Sequence, residues 1–525
     1  MGSHTLMVEV PHALGTISLS ALRNGGILLA IYLVTLVVYR LYFHPLAQHP
    51  GPFWAKITDW YSVYHAYKGD RHLVIARAHE KYGPVIRFAP NGLSFNSATA
   101  LKAIYGHSAV ARAVQKGKFY LAFPAVPGVH NTHNAISKLE HGRKRRVLSA
   151  AFSDAALKSM EPLVLQNVDE LMRVVEEQGL KGSGGIDMGE AFSWFTFDVM
   201  GELCFGRSFA MLSEPAQRFV TGLIDKAAHM HYIAGNYLPI KTLGIGRILF
   251  PTIVADRWRF IEHSRACAND RMKAGHSAKK DFFYYLLHAK DPETGEGFST
   301  KELWGESNVL MIAGSDTTAT ALSSTLFHVT KNPAVYEKLQ KEVRERFNSV
   351  DEIVTGPELG GLPYLKACID EAMRLAPPVP GILPREVIAK EGCTVDGVHV
   401  PFGTVIGCPI YALHHNDKYY PDPYTYNPER WLGDEKDVEA ARSAFTPFSI
   451  GARGCIGKSV AYMELRLAIA RLMFLYDIEQ KKVEGKADMW KEGFATKEGE
   501  YRLKDHFTSR KEGPICEFSP RKLTA

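Results

Sequence analysis

The sequence has few cysteines and no paired cysteine motif. Its 525 residues include 7 cysteines, and none of them stands in a CxxC arrangement. The lack of such pairs disfavours zinc ribbons and thioredoxin-type redox sites. An odd and scattered set also disfavours a disulfide framework, so we expect reduced thiols that face the cytosol.

Strong charge of either sign is lacking as well. The chain has 62 basic and 56 acidic residues, a formal net charge of +6. This mild excess gives no reason to expect nucleic-acid binding, although it permits an acidic protein partner or an anionic membrane surface. Hydrophobic residues make up 46% of the chain, which is typical of a globular protein with a large core.

Internal repeats, low-complexity tracts and long linkers are also missing. The glycine-rich stretch 181–185 and the Gly- and Pro-containing stretch 236–251 are too short to separate domains. From residue 44 to residue 525 we therefore expect one continuous folded unit.

One apolar run stands near the amino terminus. Between Ile27 and Phe43 the only charged side chain is Arg40, which is close enough to the end to reach an interface. The run is near the lower length limit of a spanning helix, so a buried core helix stays open as an alternative. A cleaved signal peptide is disfavoured, because no small-residue cleavage site follows. We predict a membrane anchor over residues 25–43, after a short segment of residues 1–24.

Helical periodicity dominates the rest of the chain, and strand-like pieces are few. We predict helices over 154–177, 190–204 and 282–288. A longer helix begins at the capping-box pattern Ser299–Glu302 and ends near Lys331, where Asn332 and Pro333 follow. Short strands are expected at 85–88, 394–400 and 405–407. The predicted fold class is mainly α with small β-sheets.

The long predicted helix contains residues that weaken a helix. Gly314, Asp316, Thr317 and Thr318 interrupt an apolar stretch. Mid-helix glycine costs about 1 kcal/mol relative to alanine, and adjacent threonines are weak helix formers. Places where local rules fail are often functional, but a packing notch with a solvent-facing Asp explains the same pattern. The segment alone leaves both interpretations open.

A Glu-x-x-Arg pair and a later arginine form a second pattern. Glu371 and Arg374 share one helix face, and Arg430 follows in a proline-containing loop. Exposed pairs of this kind contribute little to stability. A carboxylate held between two guanidiniums would instead form a buried, charge-assisted network.

Cys455 lies in the stretch FSIGARGCIG, with Phe448 at its start and three glycines around the thiol: Gly451, Gly454 and Gly457. An incidental thiol in a glycine-rich turn is one interpretation. The other is a backbone shaped to hold the thiol against a bound group, because glycines let the chain curl closely.

Taken in order, these motifs resemble the cytochrome P-450 haem-thiolate monooxygenases over nearly the whole chain. Segments 42–52, 79–87, 141–146 and 151–153 look like those of filamentous-fungal microsomal members, which include benzoate para-hydroxylases and enzymes that tailor secondary metabolites. The resemblance implies the cytochrome P-450 fold and one haem-thiolate catalytic domain over 44–525. It also implies a single-pass anchor in the endoplasmic reticulum membrane, with residues 1–24 luminal and the catalytic domain cytosolic.

The resemblance implies haem b, iron protoporphyrin IX, as the cofactor. Cys455 then corresponds to the axial iron ligand, whose thiolate favours O–O cleavage. Phe448 would shield the sulfur, and Arg453 and Arg385 would contact haem propionates. Arg145 is a further propionate candidate, and His141 stands where the family commonly has Trp, so its role as a hydrogen-bond partner competes with a simple surface position.

On the opposite side of the haem, the resemblance assigns the long helix to the oxygen pocket. Asp316 and Thr317 look like the acid-alcohol pair that relays protons during oxygen activation. Gly314 would let the backbone approach that pocket. Glu371, Arg374 and Arg430 match a buried structural triad.

No flavin- or nicotinamide-binding segment is recognisable, so electrons are expected from another protein. The resemblance implies an NADPH-cytochrome P-450 reductase, with cytochrome b5 as an optional second donor. Lys144, Arg146 and Lys458 are candidates for a basic docking face.

The leading functional prediction is hydroxylation of a small aromatic or polyketide-like molecule, with O2 and reductase electrons, in fungal secondary metabolism. Oxidative phenol coupling, benzoate-type para-hydroxylation and a catalytically idle, membrane-tethered haem or ligand binder are the alternatives. By family position, the substrate pocket is expected to draw on 119–123, 236–251, 309–313, 379–383 and 493–496.

Overall fold

The computed structural model describes residues 19–122, 124–180, 185–275, 279–481 and 499–521, and structural statements refer to these residues. The α-helices are α1 (Leu19–Val38), α2 (Phe53–Ile57), α3 (Trp60–Lys68), α4 (Arg71–Tyr82), α5 (Ala98–Tyr105), α6 (Ala109–Ala113), α7 (Lys138–Ser149), α8 (Asp154–Val174), α9 (Met188–Phe205), α10 (Phe219–Asn236), α11 (Pro239–Thr242), α12 (Ile245–Leu249), α13 (Pro251–Ala274), α14 (Phe282–His288), α15 (Thr300–Lys331), α16 (Pro333–Arg346), α17 (Pro357–Gly360), α18 (Pro363–Leu375), α19 (Ile410–His414), α20 (Glu435–Ala444) and α21 (Lys458–Leu475).

The β-strands are short and form four separate sheets in the described residues. They are β1 (Val85–Ala89), β2 (Gly92–Phe95), β3 (Val114–Lys116), β4 (Ile186–Asp187), β5 (Arg385–Val387), β6 (Cys393–Val395), β7 (Val398–Val400), β8 (Val405–Gly407), β9 (Tyr476–Gln480), β10 (Lys504–His506), β11 (Thr508–Arg510) and β12 (Ile515–Pro520). The mainly α fold class with small sheets is confirmed.

Helix α15 is the central element and follows the sequence prediction closely. The Ser299 hydroxyl accepts a hydrogen bond from the Glu302 N–H, and the Glu302 carboxylate accepts one from the Ser299 N–H, so the capping box is present. The helix ends at Lys331, because Asn332 turns the chain before Pro333 begins α16. It packs along α9 and α18, which places its middle turns inside the core.

The largest sheet has the strand order β1-β2-β8-β5-β3. β2 and β8 are parallel, and the other neighbours are antiparallel. In the register of β3 and β5, Lys116 stands opposite Arg385, so their side chains lie on one face of the sheet. The predicted strand 394–400 is two strands, β6 and β7, because Asp396 and Gly397 adopt positive φ values of 48° and 77°.

The amino-terminal apolar run is a helix that lies apart from the core. The stretch Ala21–Phe43 has 23 residues and a mean hydropathy of 2.0, and no part of it is buried. A buried core helix is therefore excluded, and the length and apolarity suit a membrane-spanning helix. Part of the predicted segment 1–24 lies outside the described residues. The stretch 236–251 contains α11 and α12.

Candidate functional site

An internal cavity of about 300 Å³ lies between α15 and the loop before α21. Cys455 and Phe448 border it on the α21 side, and Ala313 and Thr317 border it on the α15 side. The two motifs that sequence analysis identified separately therefore face one space. This space is mostly apolar in lining, as small-molecule sites usually are.

The backbone around Cys455 is a tight loop that depends on glycine. The Cys455 N–H donates a hydrogen bond to the Phe448 carbonyl oxygen at 2.8 Å. Gly451 has a φ of +70°, and a Cβ there would clash with the carbonyl oxygen of Tyr105. A larger residue at 451 would therefore be strained and sterically blocked, since positive φ favours glycine.

The Cys455 thiol is accessible by surface area, but the surface it presents is that of the internal cavity, so it is shielded from bulk solvent. Burial raises the pKa of the Cys455 thiol above its usual value, and a hydrogen bond from the Gly457 N–H acts in the opposite direction. The positive charges of Arg145 and Lys458 also lower this pKa. The Gly457 N–H of the loop, Arg145 of α7 and Lys458 of α21 thus favour the thiolate form.

Three cations meet at one edge of the cavity: Arg453, Arg385 and Lys116. Burial, followed by the charges of Arg385 and Arg453, lowers the pKa of Lys116 well below its usual range. Its ammonium group donates to the His133 carbonyl oxygen. Sequence analysis missed Lys116, because a single lysine in a three-residue strand gives no signal until pairing with β5 places it beside Arg385.

Arg453 shares its hydrogen bonds with the chain that precedes α7. Its guanidinium donates to the carbonyl oxygen of Ala135 at 2.6 Å and to that of Ile136 at 3.0 Å. Arg385 donates to the carbonyl oxygen of Leu383 at 3.2 Å. Both guanidiniums border the cavity and are therefore placed to meet an anionic group there.

His141 and Arg145 lie behind this edge rather than on the cavity wall. Arg145 donates to the Gly454 carbonyl oxygen at 2.9 Å, so it steadies the cysteine loop. His141 is buried, which argues against a surface position. Burial, followed by the charge of Arg453, lowers the pKa of His141 to about 3, so the imidazole is neutral at physiological pH.

Gly314 has a packing role that the sequence did not reveal. A Cβ at this position would clash with the Met200 thioether on α9. A larger residue at 314 would therefore displace the Met200 side chain from its place between α9 and α15, and Gly314 also borders the cavity.

Asp316 lies outside the cavity. Its carboxylate borders a second cavity of about 870 Å³ on the other side of α15 and lies 3.3 Å from the Lys511 ammonium. The Thr317 hydroxyl donates to the Ala313 carbonyl oxygen at 2.7 Å. The Asp316 carboxylate is thus partly exposed and is paired with Lys511.

Glu371 forms the buried network that the sequence suggested. Arg374 donates to both of its oxygens, at 2.9 and 2.8 Å, and Arg430 donates to Oε1 at 2.9 Å. The Trp431 indole adds a fourth hydrogen bond at 3.0 Å. Glu371 and Arg374 are completely buried, so this is not surface decoration.

The wall of the cavity differs in part from the expected segments. Tyr120, Val309 and Val379 border it as predicted. None of residues 236–251 does so; α10 contributes Ala228 and His231 instead. The β10–β11 turn adds Phe507, which has a φ of +80°. Phe123 and the stretch 493–496 lie outside the described residues.

One of the three cations predicted for the docking face is buried instead of exposed. The Lys144 side chain is 1% exposed and lies 2.6 Å from Glu302, so it cannot serve as a docking residue. Arg146 pairs with Asp291 at 2.6 Å and with Glu293 at 2.8 Å. Lys458 is exposed and stands at the start of α21.

Comparison with known proteins gives a consistent result. The family model described as "Cytochrome P450" matches residues 49–504. The chain is 40% identical over 510 residues to "Cytochrome P450 monooxygenase atnE" of Emericella nidulans, covering 93% of this chain and 94% of that protein. It is 37% identical over 522 residues to "Cytochrome P450 monooxygenase apf7" of Gibberella fujikuroi, covering 94% of this chain and 97% of that protein. It is 39% identical over 498 residues to "Cytochrome P450 monooxygenase poxM" of Penicillium oxalicum, covering 93% of each chain.

Proposed function

The chain belongs to the cytochrome P450 family and is a monooxygenase, and on that premise we propose that it binds haem b through Cys455 and hydroxylates a small aromatic or polyketide-like molecule in fungal secondary metabolism. The observation that carries this proposal is that Cys455 and Thr317 border the same internal cavity.

The residues around the cavity fit a haem. Cys455 supplies the thiolate ligand that the family's cofactor requires. Arg453, Arg385 and Lys116 gather at one edge, and two propionates would offset their charges through strong hydrogen bonds. Phe448 covers the sulfur, and its ring lies 5.3 Å from the Tyr462 ring. Arg145 and His141 support this edge from behind.

When bound, the haem supplies oxygen activation, which the side chains cannot provide. Thr317 holds a hydroxyl at the cavity wall, where its proton can be passed inward. Asp316 lies on the opposite face of α15, at the second cavity, and can take up protons there. The two side chains therefore divide proton delivery between an inner alcohol and an outer acid.

The remaining residues of the cavity wall orient the substrate. Val309, Ile312 and Val379 provide apolar contacts, and Tyr120 and Phe507 provide aromatic ones. Flat rings gain from such edge and face contacts. An apolar wall also excludes water from the reacting carbon.

Members of this family take electrons from a redox partner. We infer an NADPH-cytochrome P-450 reductase at the endoplasmic reticulum, with the anchor 25–43 holding the catalytic domain 44–525 on the cytosolic side and cytochrome b5 as an optional second donor. Lys458 is the exposed docking candidate. Lys458→Glu should lower reductase-driven turnover and its salt dependence; unchanged turnover would remove Lys458 from the docking face.

The central test is spectroscopic. The purified chain should show the thiolate-type Soret band after reduction under carbon monoxide, and Cys455→Ser should lose it. A wild-type chain without this band would contradict the assignment of Cys455. Incorporation of ¹⁸O from labelled O2 into product would support hydroxylation, whereas coupled products without label would identify phenol coupling instead.

A further inference from the structure

His231 and Arg257 form a pair above the cavity, on two packed helices. His231 lies on α10 and borders the cavity. Arg257 lies on α13 behind it, and its Nε is 2.7 Å from the His231 Nε2. The Arg257 Nη2 donates to the Pro124 carbonyl oxygen at 2.6 Å. The imidazole therefore stands between a guanidinium and the interior of the cavity.

The pair fixes the protonation of the imidazole. A guanidinium can only donate hydrogen bonds, so the His231 Nε2 accepts and carries no proton. Burial, followed by the charge of Arg257, lowers the pKa of His231 well below its usual range. The ring is thus neutral and carries its proton on Nδ1, which makes it a hydrogen-bond donor.

The positive charge of Arg257 is not balanced. Burial lowers its pKa to about 10, and no carboxylate in the described parts of the chain forms an ion pair with it. The neighbouring Lys241 donates to the Leu121 carbonyl oxygen and likewise forms no ion pair there. Buried Arg271, by contrast, lies 2.6 Å from Asp281. A partly buried cation without an anion costs free energy that an anionic ligand can offset.

We propose that the substrate carries a carboxylate, which accepts a hydrogen bond from His231 and is balanced by the charge of Arg257. This deepens the proposed function and rests on it. The carboxylate anchors the molecule at the α10–α13 side, and its apolar body extends along the wall of the cavity. His231 contacts the substrate, and Arg257 is a positioning residue that acts through it.

A purely structural role for Arg257 predicts something else. In that case Arg257 would only hold the loop at Pro124 in place. Its substitution would weaken the binding of all ligands equally and lower the melting temperature, without changing which ligand is preferred.

The test uses three probes of one skeleton: 2-naphthoic acid, its near-isostere 2-acetylnaphthalene, and 2-ethylnaphthalene. Binding to the haem-loaded full-length chain in detergent is measured by equilibrium dialysis and by the substrate difference spectrum. No reductant is added, so the result does not depend on turnover. The acid should bind at least tenfold more tightly than the ketone, and the ketone more tightly than the hydrocarbon.

The variants separate the two roles. His231→Phe and Arg257→Gln should bring the acid-to-ketone ratio close to one. Arg259→Gln, on the same helix, removes the same charge from a side chain that is 76% exposed, and it should leave the ratio unchanged. Arg257→Lys keeps the charge and should keep part of the preference, which matters if Arg257→Gln does not fold.

Several results would overturn the proposal. These are equal affinities for acid and ketone in the wild type, no binding of the acid, or a preference that survives His231→Phe and both Arg257 substitutions. Failure of the proposed function is a separate outcome. A chain that prefers the acid but never forms a labelled product would keep the carboxylate site and lose the hydroxylase assignment.

Discussion

Asp316 and Thr317 are adjacent in sequence, yet their side chains border two different cavities. Thr317 faces the cavity that contains Cys455, and Asp316 faces the second cavity, 3.3 Å from the Lys511 ammonium. Successive residues of a helix differ in direction by about 100°, so one turn of α15 serves both sides. On the proposed function, the alcohol lies on the side of the reacting molecule, and the acid lies on the far side of α15 beside a cation.

Removing the Thr317 hydroxyl should separate electron consumption from product formation. In Thr317→Ala, NADPH oxidation should continue, hydrogen peroxide should rise, and product should fall by about 100-fold, the usual range for loss of a proton donor. Thr330→Ala removes the same kind of hydroxyl bond, from Thr330 to the Leu326 carbonyl oxygen, and should leave the coupling intact. Unchanged coupling in Thr317→Ala would contradict the inner-alcohol role.

Lys116 should help to retain haem, although it belongs to no recognisable sequence motif. Lys116→Met keeps the side-chain length but removes the charge beside Arg385, so haem transfer to excess apomyoglobin should be about tenfold or more faster, as expected for one lost charged hydrogen bond. Lys118→Met is the matched control, because that side chain is 70% exposed. Equal transfer rates in both variants would show that Lys116 does not hold a propionate.

Breaking the Glu371 network should destabilise the fold without touching the cavity wall. Glu371→Gln removes the charge that balances Arg374 and Arg430 and should lower the free energy of unfolding by about 3–5 kcal/mol, since it leaves buried guanidiniums uncompensated. The measurement is urea unfolding followed by circular dichroism. Glu345→Gln breaks only an exposed pair with Lys341 at 3.8 Å and should change stability by less than about 1 kcal/mol. A similar effect in both variants would refute the special role of Glu371.

Glu306 should make the protein less stable as pH rises. Burial raises its pKa from 4.5 to about 7, so the folded chain keeps a proton that the unfolded chain releases above pH 4.5. Stability is therefore lost between about pH 4.5 and 7, by about 3 kcal/mol in total. Glu306→Gln should abolish this loss and raise the melting temperature at pH 8 but not at pH 4.

Glu302, on the same helix as Glu306, should show the opposite dependence of stability on pH. Burial alone would raise its pKa, but hydrogen bonds from Lys144 and the Ser299 N–H bring it down to about 2. Its contribution is present above pH 4.5 and is lost as pH falls toward 2. Glu302→Gln should therefore destabilise the chain at pH 8. A stabilising effect there, or a destabilising one for Glu306→Gln, would reverse the assignment.

Several features followed from local sequence because their causes are local. The bounds of α15 depend on a capping box and on Pro333, both within a few residues of the helix ends. The cysteine loop depends on glycines around Cys455, and the anchor depends on apolar length. The order of these motifs was enough to identify the family and the reaction class, since each motif is a short run of defined residues.

Tertiary structure decided what depends on distant segments meeting. Lys116 borders the cavity because β3 pairs with β5, which places it opposite Arg385, 269 positions later in the chain. Lys144 is buried because it forms an ion pair with Glu302. Asp316 lies beside Lys511, which is 195 positions later in the chain, and Arg257 contacts His231 because α10 packs against α13. None of these pairs leaves a signal in sequence, because burial, charge balance and hydrogen-bond direction are set by which side chains the completed fold brings together.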